Sequence, residues 1–214
     1  MVYYFTSLCG EFMIYMGKDK YENDELIKYG LPEDVWFHVD NLSSAHVYLR
    51  MKPGMSMDDI SDDLIEQCSS LCKANSIAGC KKPSVHIVYT RWKNLKKTAG
   101  MVEGQVTYHR PENVRRVKIE KNVPIVKQLE RTRKELFPDL EKEQERREKE
   151  IQRQKKNEYK KLASEKKKQQ AEAQRDKELR SYDRLYDEAY MTRASDQHAT
   201  VDATAAEEFE DDFM

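Results

Sequence analysis

Val35-Trp36-Phe37-His38-Val39, a polar turn over Asp40–Ser44, then His46-Val47-Tyr48-Leu49-Arg50-Met51: this stretch decides the fold class. Both runs are rich in β-branched and aromatic residues, and the segment between them is built of Asp, Asn and Ser. That is the pattern of two strands joined by a turn. Working outward, Val2–Thr6 and Phe12–Met16 are strand-like around Cys9-Gly10. Val85–Thr90, Gln105–His109 and Arg115–Ile119 are three more strands, with Gly100 and Gly104 flanking a turn before the second of them. Asn23 reads as the N-cap of a short helix that Gly30 stops. Ser56-Met57-Asp58-Asp59 is a capping-box variant, with Asp in place of Glu, that starts a helix over Asp58–Ala74. Ile60, Leu64, Cys68, Leu71 and Cys72 share one face of it. The sum is an α+β fold: a mainly antiparallel sheet with about two packed helices, followed by a long charged helix and a disordered acidic tail.

The charge pattern divides the chain. Its 214 residues carry a formal net charge of −1, with 36% charged residues and a mean hydropathy of −0.93. That is too polar for one shared core. The near-zero total conceals blocks of net −8 over Met1–Glu66, +8 over Lys81–Lys121, +6 over Lys127–Arg180 and −8 over Ser181–Met214. We expect an α+β domain over 1–123, a long charged helix of coiled-coil type over 124–190 and a disordered acidic tail over 191–214. Ile125, Leu129, Thr132 and Leu136 form a narrow helical stripe, and Pro138 opens a further helix. Glu141–Arg180 has few apolar residues, chiefly Ile151, Tyr159, Leu162 and Leu179. A sustained a/d seam needs more, so weak or no self-association is expected.

Several classes of function fall away. The longest stretch without Asp, Glu, Lys or Arg is Met1–Gly10, whereas a bilayer-spanning helix needs about 20 apolar residues. No transmembrane span is expected, and Met1–Gly10 has no basic n-region of a secretory signal. The four cysteines, Cys9, Cys68, Cys72 and Cys80, do not form a disulfide framework, so a reducing cytoplasmic or nuclear compartment is expected. Cys68 and Cys72 could face one ion together with Cys80, His86 or Cys9. Cys-x3-Cys within a helix nevertheless fits structural zinc poorly, and small buried hydrophobes are the better reading. No metal and no cofactor are expected. G-x-S-x-G, P-loop and G-x-G-x-x-G motifs are missing, and strand histidines beside Trp36-Phe37 read as packing residues. No catalytic residue and no enzymatic activity are expected.

The basic block carries the sharper signal. Lys81, Lys82, Arg91, Lys93, Lys96, Lys97, Arg110, Arg115, Arg116 and Lys118 crowd three strands and their loops, interleaved with Tyr89, Trp92 and Tyr108. Lysine and arginine neutralise phosphates and release counterions, and exposed aromatic faces stack unpaired bases. Trp92 and Tyr108 are the stacking candidates. A second loop, Gly17–Glu25, runs from a strand into a helix N-terminus, where free N–H groups favour an anion. Either Lys18 and Lys20 contact phosphate there, or Asp24 and Glu25 simply cap the helix.

Taken together, these residues resemble a known family. The quoted motifs are Ser7-x-x-Gly10, Ile14-x-x-Gly17, Glu22-Asn23-Asp24-x-Leu26, Asp34-x-Trp36-Phe37-His38 and His46-Val47-x-Leu49-Arg50. They continue with Tyr89-Thr90, Lys93-Asn94-x-Lys96-Lys97 and Gly104-x-Val106. In order and spacing they are similar to the NFACT-R domain of ribosome quality-control factors and small stand-alone proteins, over about Met1–Lys121. The resemblance implies a domain that binds nucleic acid without catalysis. It implies one cluster of Gly17, Asn23, Asp24, His38, His46 and Arg50, and a basic loop of Lys93, Asn94, Lys96 and Lys97. Ser43-Ser44-Ala45 replaces a Pro-Gly-Ser turn frequent in the family, which removes a glycine that would let a backbone come close.

The expected function is therefore a nucleic-acid-binding adaptor, RNA ahead of DNA, that grips the phosphate backbone with weak sequence preference. Its expected contacts are Lys18, Lys20, Asn23, His38, His46, Arg50, Lys81, Lys82, Arg91, Trp92, Lys93, Asn94, Lys96, Lys97, Arg115 and Arg116. The resemblance leaves one alternative open, a sensor of extracellular DNA at the plasma membrane or an endomembrane. Another alternative is a scaffold that binds protein partners through the charged helix.

Overall fold

A computed structural model describes residues 1–180. The acidic tail expected over 191–214, and positions 181–190 of the expected helical region, lie outside the described residues. The elements in order are β1 (Val2–Thr6), β2 (Met13–Gly17), α1 (Lys20–Lys28), β3 (Asp34–Val39), β4 (Val47–Arg50), α2 (Asp62–Ala74) and β5 (Ser84–Arg91). Then come β6 (Leu95–Lys96), β7 (Thr107–Tyr108), β8 (Arg115–Glu120), α3 (Val123–Arg131), β9 (Lys134–Leu136) and α4 (Leu140–Arg180).

Seven strands form one antiparallel sheet in the order β8-β5-β3-β4-β2-β1-β9. The decisive stretch lies at its centre as the pair β3–β4, with Val35 opposite Leu49, Trp36 opposite Tyr48 and Phe37 opposite Val47. Side chains alternate across a strand. Val35, Phe37, Val39, Val47 and Leu49 therefore face one side, where they pack with Leu64, Cys68, Leu71 and Cys72 of α2 and Leu129 of α3. Trp36 and Tyr48 face the other side and pack with Tyr15, Val88, Leu95 and Leu26 of α1. Trp36 and Phe37 are 1% and 0% exposed. Burial of one large apolar side chain contributes roughly 1.5–3 kcal/mol, and these neighbours stabilise opposite layers of the same sheet. The α+β expectation stands.

Several local expectations need correction. The N-cap of α1 is Asp19, not Asn23: its carboxylate accepts from the N–H groups of Tyr21 at 2.9 Å and Glu22 at 3.1 Å. Asn23 lies inside the helix and is buried. The capping box at Ser56 and Asp59 exists, but it closes a separate 3-10 turn over Met57–Asp59. Ile60 then takes an extended backbone and inserts into the core, so α2 starts at Asp62. The strand expected over Gln105–His109 shrinks to Thr107–Tyr108, which pairs with Leu95–Lys96 outside the main sheet.

The helical stripe expected from Ile125 to Leu136 is also cut short. Thr132 ends α3: its hydroxyl donates to the Leu129 carbonyl at 2.8 Å and accepts from the Thr6 N–H at 3.0 Å. The chain then joins the sheet, and Val2 pairs with Leu136. The chain forms two compact units, Met1–Ile151 and a second that starts at Gln152. In the second unit, 152–180 is helical throughout, and Tyr159, Leu162 and Leu179 are exposed.

Candidate nucleic-acid interface

Alternation along β3 and β4 places Asp34, Trp36, His38, Tyr48 and Arg50 on the face covered by α1. The segment 92–104 runs alongside that helix in the opposite sense. At its start, Trp92 Nε1 donates to the Ile27 carbonyl at 2.7 Å. A Cβ on Gly30 would come within 2.2 Å of the same indole nitrogen, so this approach requires glycine. Further along, Lys97 pairs with Asp24, and the Gly104 N–H donates to Asp24 Oδ1 at 2.7 Å. Near the helix N-terminus, Lys20 lies 3.6 Å from Glu103. Gly17 matters for the same reason as Gly30, since a Cβ there would be 2.5 Å from Asn23 Oδ1.

Beneath this layer lies an aromatic and imidazole cluster. Trp36 stacks on His38 with centroids 5.3 Å apart, and His46 meets both rings edge-on, at 5.3 Å from Trp36 and 5.0 Å from His38. Tyr108 meets Trp36 edge-on at 6.0 Å. Burial, with His38 adding to it, pushes the His46 imidazole down to about 3. Burial also lowers His38. Both rings are therefore neutral near pH 7. Burial raises the Asp24 carboxyl, but the Lys97 and Gly104 hydrogen bonds outweigh it, and the net direction is down. Asn23 Oδ1, Trp36 Nε1, His46 Nδ1 and Tyr48 Oη are buried without a hydrogen-bond partner in the protein. Unpaired buried polar atoms cost about 1–3 kcal/mol each and concentrate where a site has a use for them.

The structure brings together Lys18, Lys20, Asn23, His38, His46, Lys93, Lys96 and Lys97 along α1 and its facing segment. Lys18, Lys93 and Lys96 are exposed and have no ion pair among the described residues. Arg116 belongs to the same sheet face, opposite Val88, and pairs with Asp40 at 2.9 Å. Other expected contacts are placed elsewhere. Arg91 and Arg115 turn to the α2 side, where Arg91 donates to the Met55 carbonyl at 2.8 Å and Arg115 pairs with Asp58. Lys81 and Lys82 sit in the connection from α2 to β5. Tyr89 is buried against Phe37.

Three expected contacts have interior partners instead. Asn94 is buried; its side chain donates to Thr90 Oγ1 at 3.0 Å and to the Arg110 carbonyl at 2.9 Å, and it accepts from the Arg110 N–H at 2.8 Å. It shapes the turn into β6. Trp92 is half-buried and fastens the segment to α1. Arg50 pairs with Asp34, which is 0% exposed, and reaches Glu143 of α4 at 3.1 Å. Asp34 also accepts from the Tyr15 hydroxyl and the Leu31 N–H, both at 2.7 Å. Burial raises Asp34 against the pull of the guanidinium beside it.

The sequence reading did not anticipate this network, nor that α4 is fastened at its root. Arg147 donates from Nε to Glu33 at 2.9 Å, and Gln144 donates to the Gly30 carbonyl at 3.3 Å. The strand period supplied the available signal, since Asp34 and Arg50 fall on one face at facing positions. Cys68 and Cys72 are fully buried, and burial pushes the Cys72 thiol up to about 12. No His/Cys/Asp/Glu cluster among the described residues could hold a metal ion. Among them, no helix is long and apolar enough to cross a membrane.

Comparison with known proteins identifies the family. The family described as the NFACT protein RNA binding domain matches residues 1–110. "Coiled-coil domain-containing protein 25" of Bos taurus is 56% identical over 152 residues, which is 69% of this chain and 73% of that protein. The Dictyostelium discoideum homologue of the same name is 53% identical over 150 residues, 70% and 73% of the two chains. "Protein JLP2" of Saccharomyces cerevisiae is 41% identical over 149 residues, 66% and 72%. A solved structure, the C-terminal part of the fibronectin/fibrinogen-binding protein from Streptococcus suis, matches at a TM-score of 0.51 and 24% identity. It covers 59% of this chain and about half of its own, 48%, and that likeness concerns the fold alone.

Proposed function

The chain belongs to the NFACT RNA-binding domain family, and from that premise we propose that it is a non-catalytic binder of RNA that tracks the phosphate backbone along α1 and the segment facing it. The observation that carries the proposal is how the charges on this face are matched. Most acidic residues here are engaged within the fold: Asp19 caps α1, Glu22 meets the N-terminal amine, Asp24 holds Lys97 and Gly104, Asp40 holds Arg116 and Glu103 meets Lys20, so that Glu25 is the exposed carboxylate of α1 without an ion pair among the described residues. Lys18, Lys93 and Lys96 are left exposed without ion pairs among the described residues. An acidic N-terminal half therefore presents cations outward on this side. Such cations bind phosphates by releasing counterions, without reading sequence.

The family's description as an RNA-binding domain favours RNA over DNA. Four free thiols support a reducing compartment, cytoplasm or nucleus. The test is an anisotropy titration of the full chain with single-stranded RNA at several salt concentrations. With about four phosphates neutralised, log K against log salt has a slope near −3, and Lys93→Ala with Lys96→Ala flattens it by about 1.4. A folded double variant with the affinity and slope of the parent chain overturns the proposal.

A further inference from the structure

On the opposite side of the sheet, α2, the turn Gly79–Lys81 and the start of α3 enclose a groove of about 310 Å³. Ligand pockets begin at about 300 Å³, so a small molecule fits and a nucleic-acid strand does not. Ala74, Val123 and Val126 give it apolar walls, and three lysines, Lys73, Lys121 and Lys127, line it as well.

Lys73 is 2% exposed. Its ammonium donates to the carbonyls of Lys82 at 2.7 Å and Pro83 at 3.2 Å. An ammonium has three donors, so one remains, and the two carbonyls carry no countercharge. Among the described residues, no carboxylate is within ion-pair distance of Lys73, Lys121 or Lys127. Buried charges are ordinarily paired. Ser70, also 2% exposed, lines the same groove, and its hydroxyl has no hydrogen-bond partner. The groove thus combines an apolar wall, a buried lysine that Glu120 reaches only from beyond ion-pair distance and an unengaged hydroxyl, all on the face away from the RNA-binding segment.

We infer that this groove binds an aliphatic carboxylate of medium chain length. Its chain lies against Ala74, Val123 and Val126, and its carboxylate lies among Lys73, Lys121 and Lys127. A hydrated polyanion is disfavoured by the apolar wall, and a neutral alkane leaves the lysines unmatched.

The test is calorimetric titration of the full chain with decanoate below its micelle concentration, beside decanol, which keeps the chain, and butyrate, which keeps the charge. The expected result is saturable one-to-one binding of decanoate, at least tenfold weaker binding of decanol, and none of butyrate. The exposed pair Lys121→Glu with Lys127→Glu weakens decanoate at least tenfold with an unchanged melting curve. Val126→Trp fills the groove and blocks binding. Equal affinity for decanoate and decanol, absence of saturation, or parental affinity in the folded charge variant overturns the inference.

Discussion

Lys97 and Asp24 lie 73 positions apart in the chain and form an ion pair. The Gly104 N–H donates to the same carboxylate oxygen. One acidic side chain on α1 therefore fastens the loop between β6 and β7 near both of its ends, and Lys97 acts as an anchor for the loop as well as a cation of the basic segment.

That arrangement makes Asp24 the more informative position to change. Asp24→Ala removes an ion pair and a charge-assisted hydrogen bond, and stability falls by about 1–3 kcal/mol. Amide exchange accelerates over residues 97–106 while the main sheet stays protected. Hydrogen-exchange mass spectrometry checks this; unchanged protection of the loop contradicts it.

Trp92 divides a structural role from a binding one. Its indole nitrogen bonds the Ile27 carbonyl, and its ring fills the space beside Gly30. Trp92→Ala lowers stability by about 3 kcal/mol, the low end for a large aromatic truncation because the ring is half-buried. The RNA affinity of the remaining folded protein stays within about threefold of the parent chain, less than the 1–3 kcal/mol that loss of a stacked base costs. Urea denaturation and RNA titration of the same variant separate the two roles.

Arg50 is expected to behave as a core residue. Its truncation leaves Asp34 buried without its countercharge, and loss of one partner from a buried pair costs about 3–5 kcal/mol. Arg50→Ala therefore unfolds at much lower urea concentration. The salt slope of RNA binding, measured on protein that is still folded, does not change.

The histidine cluster sets an acid limit. His46 has a folded pKa of about 3, whereas an unfolded histidine titrates near 6.5. Below about pH 6.5 the unfolded chain binds a proton that the folded chain refuses, so stability falls as pH drops from there towards 3. His46 contributes a few kcal/mol to that loss at most, since a tenfold change in proton affinity corresponds to about 1.4 kcal/mol. His46→Gln flattens the stability profile between pH 6 and 4. An unchanged profile in denaturation curves across that range contradicts the assignment.

The second unit gives a simpler expectation. Ile151 is left out of a peptide of residues 152–180, whose larger apolar side chains are then Tyr159, Leu162 and Leu179. Too few apolar residues remain for an a/d seam. Sedimentation at micromolar concentration shows a monomer; a stable dimer contradicts it.

The parts of the fold legible in the sequence are those set by local residue type and turn punctuation. Val35–Val39 and His46–Met51 are short β-branched and aromatic runs separated by a polar turn, so their pairing follows from their order. The basic block was legible as composition, but composition does not say which face a side chain occupies. Arg115 and Arg116 are neighbours in sequence, yet the period of two sends one to Asp58 on the α2 side and the other to Asp40 on the α1 side. Arg50, Trp92 and Asn94 belong to the expected motifs, but their partners Asp34, Ile27 and Arg110 lie elsewhere in the chain and are set by the tertiary fold. The local pattern of Thr132 fits a helix stripe, and its contact with Thr6, 126 positions away, overrides that pattern.

The edge strand β9 decides how the chain can be cut and how it is made. β1 is made well before β9, yet its outer edge is covered only when Lys134–Leu136 pairs with Val2–Tyr4. Until then its backbone N–H and C=O groups form an open template for strand addition by another chain. At about 5–20 residues per second, synthesis of the intervening chain leaves that edge exposed for about 6–26 seconds. The covering strand is short, bears Lys134 and Glu135, and is itself a poor template. A fragment ending near Asn122 keeps the centre of the sheet but leaves β1 open permanently, and its characteristic failure is edge-to-edge aggregation.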